Sequence, residues 1–302
     1  MDVAVTGSGG LIGRALVRRL REGGHQVRRV VRSGGGGADE VRWDPMGGTI
    51  DSSALAGVDA VVHLAGEGIG EKRWTDAQKR RIRDSRVIGT TVLAEALTQL
   101  DPRPATLLTA SGISVYGDRG DEVVTEATAP GTGFLPEVVE AWEGATRAAA
   151  AAGIRTASFR NGVVLAADGG ALAKQLPLFR FGLGGRLGPG TQWFPWIALD
   201  DEVEAIVHLL SADVEGPVNL CSPEPVTNAT FTDVLGRVLG RPTVLPIPRL
   251  GPQLLLGRQL AEELLFWSVR AVPERLQATG FTFAHPDLEG ALRAVLDRPA
   301  AA

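Results

Sequence analysis

Short runs of β-branched and apolar residues alternate with longer amphipathic stretches over about the first 117 residues of the chain. The apolar runs predict strands, which would cover VAVT at 3–6, VRRVVR at 27–32, AVVHLAG at 60–66 and ATLLTAS at 105–111. Helical spacing of apolar positions predicts helices over 11–22 and 77–100. This alternation is typical of parallel strands with helices on both faces, so we expect an α/β fold with a doubly wound parallel sheet.

Three glycines lie where the first predicted strand turns into the first predicted helix. Gly7, Gly10 and Gly13 follow one another at a spacing of three residues in TGSGGLIG. Glycines at such a turn allow a tight bend, a close approach of a diphosphate to the backbone, and close packing of helix on strand. We therefore expect a Rossmann-type fold in which the turn, including Leu11 and Ile12, holds a dinucleotide.

The end of the second predicted strand indicates which dinucleotide this is. An NAD site usually has Asp or Glu there, about 20 residues beyond the glycines, to accept the ribose hydroxyls. This chain has Arg32 and Ser33 instead. A guanidinium pairs with a 2′-phosphate and a serine hydroxyl can donate to it, so the sequence predicts NADP(H), with a solvated surface arginine as the alternative.

The second half of the chain continues the pattern and then changes. A helix is predicted over 136–152 and strands over 157–160 and 163–165, whereas glycines and aromatic residues alternate beyond 169. Helices are predicted again over 229–239 and 252–266. We expect a Rossmann domain over 1–168, with sheet elements recurring after 190, and a smaller C-terminal α/β substrate lobe over 169–302.

Composition narrows the classes of partner. The chain has 302 residues, a net charge of −4, one cysteine and four histidines, with no long basic run and no metal-ligand spacing. We therefore expect no nucleic acid and no metal. No apolar leader and no stretch of about 18 uncharged apolar residues is present, so we expect a cytoplasmic protein with no membrane partner.

Several segments carry a resemblance to a known family. TGSGGLIG at 6–13, HLAG at 63–66 and SVYG at 114–117 resemble the extended short-chain dehydrogenase/reductases of the NAD-dependent epimerase/dehydratase family. RIRDSRVIGT at 81–90, the run from 169 to 197 and PVNLCSP resemble an atypical, sugar-nucleotide epimerase-like branch with a C-terminal domain of unknown function, here at about 249–296.

The resemblance covers nearly the whole chain, and it implies a Rossmann fold with NADP(H) as the cofactor. It also implies further cofactor contacts, at Leu64, Ala65, Gly66, Glu67, Arg86 and Val163.

Typical members of the family use a Tyr-xxx-Lys pair, in which lysine lowers the pKa of the proton-transferring tyrosine. The equivalent helix here reads FLPEVVEAWEGATR and places Val139 and Glu143 at those two positions. None of the three lysines lies four residues after Tyr116, the single tyrosine. The sequence therefore predicts that this pair is absent.

Three residues are candidates for proton transfer instead. Ser111 ends a predicted strand, at the edge where doubly wound sheets place ligands. Glu67 follows HLAG and is either a catalytic acid or a cap of the next segment. Tyr116 is either an acid or a pocket wall, since a tyrosine with a pKa near 10 donates poorly at neutral pH. For His63, within an apolar strand, we expect a buried structural role.

Aromatic residues among the glycines of the lobe are candidates for a substrate pocket. These are Phe181, Trp193, Phe194 and Trp196. They would stack a planar or apolar ligand, or alternatively form the core of the lobe.

Two functions follow from these features. The first is an NADP(H)-dependent oxidoreductase or epimerase-like enzyme that acts on a small carbonyl or hydroxyl compound, as a monomer or homodimer. The second is a catalytically silent NADP(H)-binding module with a sensing or regulatory role.

Overall fold

The computed structural model describes residues 1–33 and 37–297, so the last five residues of the predicted lobe lie outside the described part. The strands, in chain order, are β1 (Asp2–Thr6), β2 (Gln26–Val31), β3 (Glu40–Asp44), β4 (Thr49–Ile50), β5 (Ala60–His63), β6 (Thr106–Gly112), β7 (Val123–Val124), β8 (Arg155–Asn161), β9 (Val163–Leu165), β10 (Trp193–Phe194), β11 (Trp196–Ala198), β12 (Gly216–Leu220), β13 (Val226–Thr227) and β14 (Arg270–Ala271).

The helices are α1 (Leu11–Glu22), α2 (Asp76–Thr98), α3 (Phe134–Gly144), α4 (Arg147–Ala151), α5 (Gly170–Arg180), α6 (Leu199–Leu209), α7 (Asn228–Leu239), α8 (Leu250–Leu256), α9 (Arg258–Ala261), α10 (Glu274–Ala278) and α11 (Leu288–Val295). No helix within the described residues is both long and apolar enough to cross a membrane.

An eight-stranded sheet in the order β12-β8-β6-β5-β1-β2-β3-β4 forms the centre of the molecule. Every neighbouring pair is parallel except β3 and β4. The predicted doubly wound α/β fold is therefore confirmed. The strand order reverses between β1 and β5, where Thr6 pairs with His63, and such a switch point is where open α/β sheets bind ligands.

The sheet is buried on both faces, as the continuous apolar strands predict. Val3 and Val5 of β1 belong to one hydrophobic cluster, and Ala4 between them belongs to another on the opposite face. Helices α1 and α6 supply the first cluster, whereas α2 and α4 supply the second. Two-sided burial fixes the carboxyl edge of the sheet rigidly, and this is the edge on which the predicted site residues lie.

The C-terminal half contributes both to the large sheet and to smaller ones. Strand β12 forms the edge of the large sheet beside β8, although it comes from the segment predicted as the lobe. The pairs β9–β11, β10–β13 and β7–β14 form three two-stranded sheets. Since β14 pairs with β7, the C-terminal segment is joined to the loop that follows β6.

Two predicted helices are interrupted. The stretch 136–152 forms α3 and α4 rather than one helix. The stretch 252–266 breaks at Gly257, whose φ of 93° no helix accommodates, and continues as α9 and a π-helical turn over Glu262–Phe266. The apolar spacing was right in both cases, and the interruption comes from backbone geometry that the spacing does not report.

Candidate functional site

The turn between β1 and α1 has a shape that only glycine permits. Gly7 has a φ of 65°, and a Cβ there would lie 2.8 Å from the carbonyl carbon of Leu64. A Cβ on Gly13 would lie 2.2 Å from the carbonyl oxygen of Gly7. The N–H of Gly10 donates to that same oxygen at 2.9 Å, which closes the turn. The helix and the strand therefore pack backbone against backbone.

The amino end of α1 fits a dinucleotide diphosphate. No side chain caps the helix at Gly10, and its first turn contains no acidic residue. The backbone N–H groups of this turn, which includes Leu11 and Ile12, are the ones that a helix leaves unpaired, and the helix dipole favours an anion beside them.

A threonine that the sequence did not single out joins the two strands at the switch point. The Thr6 hydroxyl oxygen accepts the N–H groups of Leu64 and Ala65, each at 3.1 Å, and lies 2.7 Å from Nδ1 of His63. Since the oxygen already accepts two hydrogens, the hydroxyl proton points at Nδ1, which must be the unprotonated nitrogen of a neutral ring. Burial, with the nearby Arg86 charge, lowers the pKa of His63 to about 4. The buried structural role expected of His63 agrees with this placement.

Arg32 and Ser33 lie exposed, directly after β2 ends at Val31. The preceding Arg29 is neutralised, since it donates to both Asp39 and Glu40. Within the described residues Arg32 has no such carboxylate partner. Its guanidinium therefore keeps its hydrogen-bond donors available at the position predicted for a 2′-phosphate.

The segment after β5 is held by Arg86 of α2. The Arg86 Nη1 donates to the carbonyl of Glu67 at 2.9 Å, and its guanidinium lies over the Trp142 ring at 4.9 Å. A Cβ on Gly66 would lie 3.3 Å from the guanidinium carbon. Burial lowers the pKa of Arg86 to about 10, which leaves it a cation at neutral pH. Arg86 thus lies beside Gly66 and Glu67, and the cofactor contacts that the resemblance implies for these three residues stay predictions.

Glu67 itself lies half-buried at the start of the loop that follows β5. Its N–H donates to Ser85 Oγ at 3.0 Å, and its carboxylate accepts from Gln78 at 3.4 Å. Both partners lie on α2, so the contacts connect Glu67 to that helix.

Ser111, Glu143 and Arg160 form a connected group at the carboxyl ends of β6 and β8. The Ser111 hydroxyl donates to Oε1 of Glu143 at 2.6 Å. Arg160 donates two hydrogen bonds to the same carboxylate, from Nε to Oε1 at 2.8 Å and from Nη2 to Oε2 at 2.9 Å. Burial alone would lower the pKa of Arg160, but the hydrogen bonds and the charge of Glu143 outweigh it and raise that pKa. A carboxylate thus stands where the family pattern has lysine, and it is paired with a buried arginine.

Tyr116 and Val139 lie in the interior rather than at an open site. The Tyr116 hydroxyl donates to Asn219 at 2.7 Å and accepts from Arg160 at 3.0 Å. Its side chain is fully buried, and burial raises its pKa to about 12. Val139 is buried in the same apolar cluster as Tyr116. A phenol with this pKa gives up no proton at neutral pH, so the placement favours a packing role for Tyr116 over an acid.

The group around Glu143 extends to the C-terminal segment through residues that sequence reasoning missed. Asn219 of β12 donates to the carbonyl of Val272 at 3.0 Å, and its N–H donates to Glu126 at 2.9 Å. Glu126 also accepts the N–H of Arg275 at 3.3 Å. These partners come from separate elements, so no local spacing in the sequence points to them.

A polar groove of about 300 Å³ reaches Glu143 from another direction. Its lining includes the hydroxyl residues Thr146, Thr156 and Ser158, and the groove extends to Pro217 of the edge strand β12. Glu143 therefore lies between Ser111 and a groove that opens to solvent.

The four aromatic residues expected to line one pocket are not brought together. Trp196 is 1% exposed and belongs to the core of the lobe. Phe194 is partly buried against the same core, and its ring lies 4.5 Å from the ring of Phe231. Phe181 is 81% exposed at the end of α5. For Trp196 the structure therefore favours the alternative, the core of the lobe, because β11 turns its side chain inward. Val163 of β9 pairs with Trp196 in the parallel β9–β11 sheet.

Trp193 differs from the other three. Its indole N–H donates to Asp121 at 2.9 Å, and Arg270 covers its ring at 4.3 Å. The preceding residue, Gln192, lines a cavity of about 330 Å³. The polar and charged residues that line this cavity are Asp118, Asp121, Thr191, Gln192, Arg249 and Ser268.

Comparison with known proteins shows which family models the chain matches. Residues 3–221 match the NAD dependent epimerase/dehydratase family, and residues 247–295 match DUF1731, a domain of unknown function. The chain is 44% identical over 298 residues to the epimerase family protein Mb2239 of Mycobacterium bovis, with 98% of each chain covered.

Two solved structures extend the comparison. The crystal structure of human epimerase family protein SDR39U1 (isoform 2) with NADPH superimposes with a TM-score of 0.91 at 33% identity, covering 99% of this chain and 100% of that one. UDP-glucuronic acid 4-epimerase from Bacillus cereus in complex with NAD shares the fold, with a TM-score of 0.76 at 18% identity over 99% and 98% of the two chains. The resemblance seen in the sequence is thus confirmed, and the chain belongs to the NAD dependent epimerase/dehydratase family, with a DUF1731 domain at its C-terminal end.

Proposed function

We propose that this chain is an NADP(H)-dependent oxidoreductase for a small carbonyl or hydroxyl compound, and that Ser111 and Glu143 handle the proton in place of the Tyr-xxx-Lys pair. The observation that carries the proposal is the 2.6 Å hydrogen bond from the Ser111 hydroxyl to Glu143, at the carboxyl edge of the sheet. This edge is where doubly wound sheets bind their ligands.

The choice of NADP(H) rests on the glycine turn and on Arg32. The glycine turn offers unpaired backbone N–H groups to a diphosphate. Arg32, exposed and unneutralised among the described residues, lies where a 2′-phosphate would be recognised. The NADPH in the human relative supports the same choice, although a more distant relative binds NAD.

The nicotinamide, when bound, supplies or accepts the hydride. The residues of the chain account for the proton. In alcohol oxidation the substrate hydroxyl would pass its proton to the Ser111 oxygen while Ser111 passes its own proton to Oε1 of Glu143. In carbonyl reduction the same two transfers run in reverse, from a protonated Glu143 through Ser111 to the carbonyl oxygen.

Arg160 has a positioning role in this scheme. Its two hydrogen bonds fix both carboxylate oxygens of Glu143, so Oε1 stays within reach of Ser111. The polar groove on the other side of Glu143 gives the carboxylate a route to exchange its proton with solvent. Catalysis then depends on geometry, and a hydrogen-bonded pair held in place supplies much of what a tuned tyrosine would.

The second candidate is a catalytically silent NADP(H)-binding module. One observation favours it, namely the full burial of Tyr116 and Val139 in an apolar cluster where the family has a proton donor. The two candidates share the cofactor and differ in whether a small molecule ever oxidises or reduces it.

The test follows nicotinamide absorbance at 340 nm with a panel of alcohols and NADP⁺, and of aldehydes and ketones with NADPH. The proposal predicts turnover with at least one compound, and a loss of roughly 100-fold or more in kcat for Ser111→Ala and for Glu143→Gln. Glu95→Gln, at an exposed position of α2, is the matched control and should retain full activity. Turnover that survives both site variants would exclude the proton pair, and no turnover with intact NADPH binding would favour the silent module.

A further inference from the structure

Exposed apolar side chains gather in two segments of the C-terminal half. Of the eleven exposed large apolar side chains among the described residues, eight lie within 178–183 and 244–255. The most exposed are Val244 at 83%, Phe181 at 81% and Leu255 at 74%. Single exposed apolar residues are ordinary, whereas a concentration of them marks a contact surface. We call residues 178–183 and 244–255 the apolar patch.

The two segments of the patch lie against each other. The Ile247 N–H donates to the Arg186 carbonyl at 2.8 Å, and the Gly188 N–H donates to the Ile247 carbonyl at 2.9 Å. Nearer the patch, the Arg241 Nε donates to the Arg180 carbonyl at 2.9 Å. The backbones therefore run side by side over 180–188 and 241–247, which places Leu183 near Val244 and Leu245. Helix α8 begins beside them, since a Cβ on Gly188 would lie 3.5 Å from the Arg249 side chain.

Helix α8 carries the most unusual part of the patch. Its sequence LGPQLLL is rich in leucine, yet none of its seven residues is buried. Arg73 holds the helix by its backbone, through the carbonyl groups of Leu254 and Leu255. An apolar helix normally buries one face in its own domain, and this one leaves its leucine side chains available for another surface.

The segments that form the patch carry charges of a single sign, and the carboxylates that reach them from elsewhere are paired, Glu262 with Arg249 and Glu71 with Lys174. Residues 169–199 contain no Asp or Glu but include Lys174, Arg180 and Arg186, and residues 234–261 contain no Asp or Glu but include four arginines. The chain as a whole has a net charge of −4, so these segments stand out from it. Among these cations Arg180, Arg186, Arg241 and Arg258 are exposed, and none has a carboxylate partner among the described residues.

We propose that the apolar patch binds the surface of an anionic lipid bilayer. Apolar side chains beside cations are what an interfacial segment needs, since the former enter the boundary of the acyl chains while the latter meet lipid phosphates. A second copy of this chain fits the patch poorly, because a two-fold contact would bring the same unpaired arginines face to face. No helix among the described residues could span a membrane, but peripheral binding requires none. The proposal differs from the expectation of no membrane partner, which stays a prediction.

The proposal is tested by cosedimentation of the full chain with large unilamellar vesicles. We expect binding to vesicles that contain phosphatidylglycerol and none to vesicles of phosphatidylcholine alone. Raising the salt concentration to about 0.5 M should release most of the bound protein, because it screens charges at the membrane surface. Binding of wild-type protein to neither type of vesicle at low salt would overturn the proposal.

Two variants separate the apolar and the charged contributions. The double variant Leu254→Gln/Leu255→Gln and the double variant Arg180→Glu/Arg186→Glu should each lower the bound fraction at least tenfold. Met46→Gln changes an apolar side chain that is 61% exposed outside the patch and should bind like the wild type. Because all of these side chains are exposed, unchanged circular dichroism should accompany every substitution.

Two further outcomes would assign the patch elsewhere. If Met46→Gln lowers vesicle binding as much as Leu254→Gln/Leu255→Gln does, the protein does not bind vesicles through the patch. If sedimentation velocity shows a dimer that Leu254→Gln/Leu255→Gln dissociates, and vesicles bind neither protein, the patch is an interface between two copies. Either result would overturn the bilayer assignment.

Discussion

The carboxyl edge of the central sheet carries two sites that are built in opposite ways. At the end of β1 the site is made of backbone, and its shape depends on the missing side chains of Gly7 and Gly13. At the ends of β6 and β8 the site is made of side chains, with Ser111, Glu143 and Arg160 hydrogen-bonded to one another. The backbone site has no room for an added side-chain atom at Gly7 or Gly13. The side-chain site, in contrast, can change its chemistry when one residue is replaced. This explains how the same fold keeps a cofactor turn while a carboxylate takes the place of the catalytic lysine.

The largest effect should come from breaking the side-chain site. Arg160→Met removes the cationic partner of Glu143 in a place where the two side chains are only 6% and 19% exposed. We expect the free energy of unfolding to fall by about 3–5 kcal/mol, because a buried carboxylate is left unpaired. Urea denaturation measures the change.

A second substitution shows whether the pair or the position matters. Adding Glu143→Met to Arg160→Met removes both charges, and should restore most of the lost stability. A loss below about 1 kcal/mol in the single variant would mean that the pair is not the buried unit described here.

The backbone site should respond to a single added methyl group. A Cβ on Gly13 would lie 2.2 Å from the Gly7 carbonyl oxygen, so Gly13→Ala must displace the turn. We expect a loss of about 1–3 kcal/mol in stability and at least a tenfold weaker binding of NADPH. Gly9→Ala is the control, since nothing lies within 4 Å of its Cβ, and it should unfold at the wild-type urea concentration. Equal stability of both variants would contradict the close packing of α1 on β1.

A third prediction compares Glu143 with a buried carboxyl group that has no cation. Glu202 of α6 is fully buried, one of its oxygens has no partner, and burial raises its pKa well above the usual value. Since its pKa is higher in the folded than in the unfolded state, its contribution to stability is full below about pH 4 and declines as the pH rises.

The isosteric Glu202→Gln removes this dependence. We expect the variant to match the wild type near pH 4 and to be more stable by about 1 kcal/mol or more at pH 8. Thermal unfolding across this pH range measures the difference, with the exposed Glu95→Gln as the control. A difference that stays constant from pH 4 to pH 8 would show that Glu202 does not titrate in this way.

The smallest effect concerns selectivity at the cofactor site. Arg32→Ala should weaken NADPH binding by about tenfold and leave NADH binding unchanged, because the side chain is predicted to meet only the 2′-phosphate. Arg42→Ala, an exposed arginine on the neighbouring β3, should change neither affinity. An unaltered ratio of the two affinities in Arg32→Ala would remove Arg32 from the site.

The sequence was sufficient for the parts of the fold that depend on local pattern. The runs predicted at 3–6, 60–66 and 105–111 correspond to β1, β5 and β6, and the predicted 77–100 helix corresponds to α2. Glycine spacing also located the turn correctly, because its geometry is determined within a few neighbouring residues. Strand β3 was missed, and β12 was anticipated only as sheet elements recurring after 190, since charged residues in EVRWD and Gly, Pro and Asn in GPVNL interrupt the apolar run.

The side-chain site could be predicted only in part. Ser111 and Glu143 were each noted, but their contact depends on how α3 packs on β6, which no spacing along the chain reports. Arg160 was overlooked because arginine in a strand is usually a surface residue, and its burial here depends on Glu143 and Tyr116. For Trp196 the sequence left a pocket wall and the core of the lobe open, because the direction of the indole depends on how β11 pairs with β9.

The central claim is that the cofactor turn binds NADP(H), since both the redox proposal and its silent alternative depend on it. Calorimetric titration of cofactor-free protein with NADPH, and then with NADH in the same buffer, tests it most directly. The account predicts that NADPH binds at least about tenfold more tightly, a difference of about 1.4 kcal/mol. Equal affinities would contradict the role of Arg32, and binding of neither dinucleotide would contradict the account as a whole.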